Sequence, residues 1–339
     1  MLLVAMLASV GCGSAADTPK NDGTTSSPPS DTTTEPAETS EFTAENVNYG
    51  GTDFIIAEND IGDWMQSAFI TEENGDVLND AIYKRNSIVE DLYGVNIKGY
   101  KIEGGRNSQD LASLKNSILA GDKDYDVAYI PGQLTSKIFT DPQYLIPLSD
   151  ISTLDLSHSW WAQNSVDEMT FGGKTISATG DLIVTTTGST TVTFFNKTLA
   201  DQYNLDIYNT VRDGKFTLDY VYETGKTVSA DLNGDAKRDA NDDRFGLIVE
   251  SLNLMHTVNT AGEKLVTKDS EGYPVCNIGS ANVVDVVMKY VSIIDDTDNV
   301  ISVQDGRIKD GGPAGVFNSD RAMFWYTNLQ RRNAARSFD

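Results

Sequence analysis

The chain has little of what catalytic and disulfide-stapled proteins are built on: two cysteines and two histidines in 339 residues. Cys12 closes an apolar start and Cys276 stands alone far downstream, so a structural disulfide is not expected. His158 and His256 lie far apart and in no metal-ligand spacing. There is no His-Glu-x-x-His helix motif and no G-x-S-x-G elbow. Gly172-Gly173-Lys174-Thr175 ends like a phosphate loop, but Glu168 occupies the position of the leading glycine. Positive charge is scarce too: 26 Lys and Arg face 50 Asp and Glu, giving a net charge of −24 and a pI near 4.3. A field of that sign repels nucleic-acid phosphates and argues against docking on anionic lipid. After the first ten residues, no apolar run reaches the roughly 20 residues that span a bilayer.

What is present divides by composition. Met1–Val10 is short and apolar, which suits a signal-peptide core better than a membrane span. It runs into Leu7-Ala8-Ser9-Val10-Gly11-Cys12-Gly13-Ser14. Small residues before a cysteine resemble the bacterial lipobox, which implies a signal segment over 1–12 and lipid on Cys12. Two departures stand beside it. Ser9 is three residues before the cysteine, where leucine is preferred, and no Lys or Arg precedes the apolar run. A plain secretory signal is the alternative. Residues 13–48 are rich in Ser, Thr, Pro, Asp and Glu and bury too little apolar surface to offset ordering entropy, so they read as a tether.

From Tyr49 onward the pattern is that of a folded α/β chain, with 39% hydrophobic residues overall and length enough for two lobes. Phe54–Ala57, Val95–Tyr100 and Tyr125–Ile130 read as strands. Between them, Leu78, Ile82, Ile88, Val89 and Leu92 space a helix stopped at Gly94. Ser108 caps a second helix carrying Leu111, Leu114, Ile118 and Leu119 and closed by Gly121. Alternation of strand and helix predicts a parallel sheet, whose ligands sit past the carboxyl ends of the strands. The loops after Ala57 and Ile130 are therefore the first candidates. Further on, Phe194-Phe195-Asn196-Lys197 ends a strand, Gly279-Ser280 opens a helix bearing Val283, Val287, Tyr290 and Ile294, and Gly311-Gly312-Pro313 breaks the chain. Ala322–Tyr326 reads as another strand.

Several segments resemble the extracellular solute-binding proteins of bacterial importers, the large family that includes maltose-binding protein. They are Tyr125-Asp126-Val127, then Leu145-Ile146-Pro147-Leu148-Ser149-Asp150 with Leu154-Asp155-Leu156 and Trp160-Trp161, and Phe194–Lys197. Asp213-Gly214-Lys215-Phe216-Thr217-Leu218-Asp219 comes next, with Phe216 in place of the usual Trp. Phe317-Asn318-Ser319-Asp320-Arg321-Ala322-Met323 closes the series, with Asp320 where Gly is common. The resemblance implies a two-lobed, type II periplasmic-binding-protein fold with the solute in a cleft between α/β lobes. On it, lobe 1 is placed at 49–190 and lobe 2 at 191–339. It also implies a location on the outer face of a bacterial membrane, an ABC permease as partner, a small solute such as a carbohydrate as cargo, and no catalysis. Family members continue past the Ala-Met strand and return to the first lobe, so the chain is expected to be a fragment lacking that return.

Sugars are held by aromatic faces and by carboxylates and amides that bond to hydroxyls. Candidates in the first lobe are Glu58, Asn59 and Asp60 at the ligand end of the first strand, with Trp64 just beyond. Trp160, Trp161 and Asp181 lie in family stretches expected to run past the cleft. On the second-lobe strand either Trp325 or Tyr326 is expected to point inward, because strand faces alternate. A separate motif runs from Asp231 to Asp242. Asp231, Asn233, Asp235, Asp239 and Asp242, with the Lys237 carbonyl, have the oxygen spacing of a calcium loop, although Ala236 stands where Gly eases the turn. An acidic turn held by its own hydrogen bonds is the alternative. Two other functions stay open beside solute capture: a secreted glycoside-acting enzyme, since fifty acidic residues always offer carboxylate pairs, and a surface adhesion protein.

Overall fold

The computed structural model describes residues 46–59, 69, 72–102, 109–132, 142–250, 253–304, 306–308 and 311–332. The chain forms two compact units that divide between His158 and Ser159. That division is earlier than the 190/191 placement read from the sequence. The reason is local: residues 159–190 are bonded to partners further along the second unit. Lys264 pairs with Glu168, Lys268 with Asp167, the Gly172 amide reaches the Gly272 carbonyl at 3.3 Å, and the Leu329 amide the Thr190 carbonyl at 2.8 Å.

The first unit is built on three parallel strands in the order β2-β1-β3. They are β1 (Thr52–Asn59), β2 (Val95–Ile102) and β3 (Val127–Tyr129). Register runs Thr52↔Val95 through Asn59↔Ile102 on one side and Ile56↔Val127 to Glu58↔Tyr129 on the other. Helix α1 (Val77–Tyr93) starts where the Asp76 carboxylate accepts the Leu78 and Asn79 amides. It stops at Gly94, which is left-handed at φ 59°. Its inward stripe is Asn79, Ile82, Asn86, Val89 and Tyr93, spaced three and four apart. Two positions in that stripe are asparagines, so apolar periodicity alone misplaces it: Leu78, Ile88 and Leu92 are exposed. Val89, Tyr93 and Val95 pack together on the α1 side. Ala57, Ile102 and Leu114 of α2 (Gln109–Ala120) pack on the other, with Tyr125 and Ile130. Ser108 and the side chain of Leu111 lie outside the described residues.

The second unit centres on a four-stranded sheet, β10-β7-β11-β6. The strands are β6 (Thr191–Phe195), β7 (Phe245–Val249), β10 (Val300–Ser302) and β11 (Ala322–Asn328). The strands β10, β7 and β11 are parallel and β6 runs against β11. Two short hairpins accompany the sheet, β4–β5 (Thr170–Phe171 with Lys174–Thr175) and β8–β9 (Val266–Lys268 with Pro274–Cys276). All five residues of β7 are buried, as a central parallel strand requires. One core gathers Leu199, Val221, Leu247, Val249, Ile293 and Met323, and another Phe245, Ile248, Ile301, Phe317 and Trp325. Helix α3 (Leu218–Val228), capped by Thr217, supplies Val221 and Val228 to the first core. Helix α4 (Asn253–Thr260) comes after β7. Helix α5 (Ala281–Ile294) is capped by Ser280, as its sequence predicts. The glycines at 311–312 do not merely break the chain, because Gly312–Asn318 is helical. Among the described residues, no helix is long and apolar enough to cross a membrane.

Helix α3 lies against β7 through two glycines. A Cβ on Gly246 would stand 2.4 Å from the Gly225 carbonyl carbon. Backbone there has nowhere to yield, so Gly246→Ala is expected to lower unfolding free energy by about 1–3 kcal/mol, the usual cost of overpacking. Urea denaturation checks this; an unchanged midpoint would show that the helix and strand can part without loss.

Candidate functional site

In the first unit, β1 ends in a carboxylate rather than another aliphatic side chain. Glu58 is only 5% exposed. Its register partners are Lys101 on β2 and Tyr129 on β3, so the three side chains leave the sheet on one face. The Tyr129 ring meets the buried Phe69 ring edge-on, 5.7 Å between centroids. Above Phe69 sits the Arg85 guanidinium, 5.4 Å from the ring centre. Its neighbour Asn86 fixes that arrangement by donating Nδ2 to the Phe69 carbonyl at 2.7 Å while accepting from Arg85 at 3.1 Å. Burial brings the Arg85 pKa down to about 10, against the opposing pull of the Glu58 charge. The carboxyl end of β1 therefore joins a buried acid, a half-buried guanidinium and two aromatic rings, a combination suited to hydroxyl-rich ligands.

The second unit carries an acid at the equivalent place on its own central strand. Glu250 comes directly after β7. Its amide donates to Asn253 Oδ1 at 2.5 Å, and its carboxylate accepts from Thr327 Oγ1 at 2.9 Å. The Tyr290 hydroxyl donates to the Glu250 carbonyl at 3.0 Å. Burial pushes the Tyr290 pKa up, and the neighbouring Tyr326 and Glu250 push it further. This end of the sheet is thus rich in oxygen acceptors and hydroxyls.

The remaining candidates are distributed unevenly. Glu58 and Asn59 are the last two residues of β1. Asp60, Trp64 and Cys12 lie outside the described residues. Trp160, Trp161 and Asp181 are brought together: Trp161 bridges to Gly180, and the Asp181 amide donates to the Trp160 carbonyl at 2.9 Å. Asp181 is exposed, Trp160 half-buried and Trp161 buried. Gly180 is required by the approach, since a Cβ there would stand 2.1 Å from the Trp160 oxygen. Trp325 is 1% exposed and packs at a tilt, 5.8–6.0 Å between ring centroids, against Phe317 and Phe194 inside the second unit. Its indole Nε1 has no hydrogen-bond partner among the described residues. Tyr326 is the half-buried member of the pair, packed on the Leu199–Met323 core.

The loop 231–242 is shaped by its own amides. Asp231 accepts from Gly234 at 2.7 Å and Ala236 at 2.9 Å, Asn233 from Asp235, Asp235 from Lys237, and Asp239 from Asn241. Those Gly234 and Ala236 amides hold the Asp231 carboxyl below its usual range. Ala236 takes the left-handed conformation, φ 60°, that a glycine would adopt freely. Asp243, fully buried, anchors the loop by accepting from Leu232 and Asp239. Asp242 is exposed. The donor set is all oxygen, the chemistry of a hard cation. Among the described residues, no three His, Cys, Asp or Glu side chains are gathered as metal ligands.

Sequence reasoning named Glu58 but missed Arg85, Phe69, Tyr129 and Glu250. Register could not be read from sequence, and it is register that sets Tyr129 beside Glu58. Glu250 had a signal: an acid directly after the apolar run 245–249 repeats Glu58 after Ile55-Ile56-Ala57. An open depression of about 490 Å³ lies along α1, between Val77, Ala81 and Lys84 on the helix and Glu73 before it. Those α1 positions lie off the helix's buried stripe and lack the buried polar groups of the β1 end.

No protein-family model matches the chain, and no curated protein matches it significantly. Solved structures do. UspC of M. tuberculosis matches with a TM-score of 0.50 at 13% identity, over 83% of this chain and 64% of its own. An ABC substrate-binding protein of Listeria monocytogenes in complex with cycloalternan matches at TM-score 0.47 and 12% identity, over 85% and 64%. An ABC transporter solute-binding protein of Agrobacterium radiobacter K84 in complex with ribitol matches at 0.41 and 13%, over 83% and 61%. The chain spans less than two thirds of the length of each. The likeness to UspC shows the fold, the α/β type II fold of two-lobed periplasmic binding proteins.

Proposed function

We propose that the chain is an extracellular solute-binding protein that captures a small neutral solute, a carbohydrate by class, for an ABC-type importer, without catalysing its turnover. The observation that carries the reading is the buried Glu58 beside Tyr129 and Phe69 at the carboxyl end of a parallel sheet. In α/β folds that end is where ligands sit. A carboxylate there accepts hydrogen bonds from solute hydroxyls, and a ring packs on their C–H faces. Asp60 and Trp64, next along the chain, belong to the same proposed subsite. Trp160 and Asp181 are proposed as solute contacts of the second unit. Delivery to a permease is part of the proposal.

A ligand that binds only the native state raises the melting temperature. In a thermal-shift screen with neutral mono- and oligosaccharides and polyols, at least one member is expected to shift the protein, and chromatography should recover it unaltered. No shift across the panel, or cleavage of an oligosaccharide, contradicts the reading. Lipid on Cys12 is proposed from the short apolar run that ends there, ahead of a Ser/Thr/Pro tether. Cys12→Ser should then release the protein into the medium, whereas continued retention on membranes contradicts the anchor. Calcium in the 231–242 loop is proposed from its oxygen spacing, as a structural ion only. Replacing Asp231 and Asp235 by Ala should lower the melting temperature more in calcium than in chelator. Equal losses would mean that amide hydrogen bonds alone hold the turn.

A further inference from the structure

A buried carboxylate is tolerated only when its charge is answered. Glu58 is 5% exposed, and among the described residues the charged or titratable groups that face it from the elements around it are Arg85 on α1, Lys101 on β2 and Tyr129 on β3. Lys101 is exposed, so water screens its charge. Tyr129 is neutral in its ordinary state. Arg85 is half-buried, held over Phe69 at 5.4 Å, and braced by Asn86, whose own amide is tied to the Phe69 carbonyl. Phe69 in turn contacts Tyr129, the register partner of Glu58. The guanidinium is thereby fixed on the side of the sheet from which Glu58 emerges.

We infer that Arg85 is a positioning residue that keeps Glu58 an ionised hydrogen-bond acceptor at the end of β1, which selects neutral, hydroxyl-bearing solutes over anionic ones. The ligand class rests on the function proposed above; the coupling of Arg85 to Glu58 does not. With the pair's charges balanced, an anionic solute would bring an unanswered negative charge into a buried site. Neutral hydroxyl donors bring none.

The sign of the pH effect separates charge from packing. A buried carboxyl stripped of its counter-charge holds its proton more readily than one in water. The folded state then binds the proton more readily than the unfolded chain, and stability falls as pH rises through that window. Melting temperatures of the wild type, Arg85→Met, the double variant Arg85→Met/Glu58→Gln and the control Lys101→Met are to be measured from pH 4.5 to 7.5. The Arg85→Met deficit should widen as pH rises, the double variant should lose that widening, and Lys101→Met should track the wild type. A deficit independent of pH, or one unchanged by Glu58→Gln, overturns the inference. If Arg85→Met alone fails to fold while the double variant folds, the coupling is supported. If both fail alike, Arg85 acts by packing and the inference falls. Titration with glucose, maltotriose, ribitol and glucuronate tests the ligand class. A neutral member should bind the wild type and bind Arg85→Met at least tenfold more weakly, and tighter binding of glucuronate overturns the selectivity. Binding of none of the four counts against the proposed function, and the stability result still decides the coupling.

Discussion

A parallel strand covered on both faces leaves polar side chains little room except past its ends. In this chain β7 obeys that constraint fully, with all five residues buried between two apolar clusters. In β1 the stretch from Ile56 to Ala57 is sealed in the same way. Each strand then meets an acid at its carboxyl end, Glu58 as the penultimate residue of β1 and Glu250 immediately after β7. Each acid is surrounded by groups from neighbouring elements. Glu58 has Arg85 within electrostatic reach and Tyr129 in register. Glu250 bonds to Asn253 and Thr327. The apolar interior determines where chemistry can be placed, and the next helix and the neighbouring strand supply its partners.

Much of that interior was legible in the sequence. Apolar runs marked β1 and β11 and alternation marked β2, because burial selects such patterns directly, while β7 was not among the strands read from the sequence. Ser280 marked the start of α5 and Gly94 the end of α1, since caps are local chemistry. The inward face of α1 was not legible. Asn79 and Asn86 occupy it, and the role of Asn86, bonding to the Phe69 carbonyl seventeen residues back, is a tertiary fact. Arg85 was invisible for the same reason: nothing in its neighbours distinguishes it from a solvated helix residue. The sequence placed a lobe boundary at 190/191; hydrogen bonds and ion pairs, which composition does not reveal, attach residues 159–190 to the rest of the second unit.

The aromatic candidates show how far residue type carries. Trp160, Trp161 and Asp181 do meet, through a bridge at Gly180 that only a residue without a Cβ can make. Trp325 is enclosed by Phe194 and Phe317, as a large ring on a central strand commonly is. The 231–242 loop has the same ambiguity in another form, since Asx hydrogen bonds and cation ligation draw on the same oxygens.

The proposed function stands on solute being held at the carboxyl end of β1. Backbone amide hydrogen exchange, measured with and without a neutral sugar that raises the melting temperature, tests it most directly. Slowed exchange at residues 57–59, with the β8–β9 hairpin unchanged, is the predicted result. Protection confined to other parts of the chain, with residues 57–59 unaffected, would contradict it.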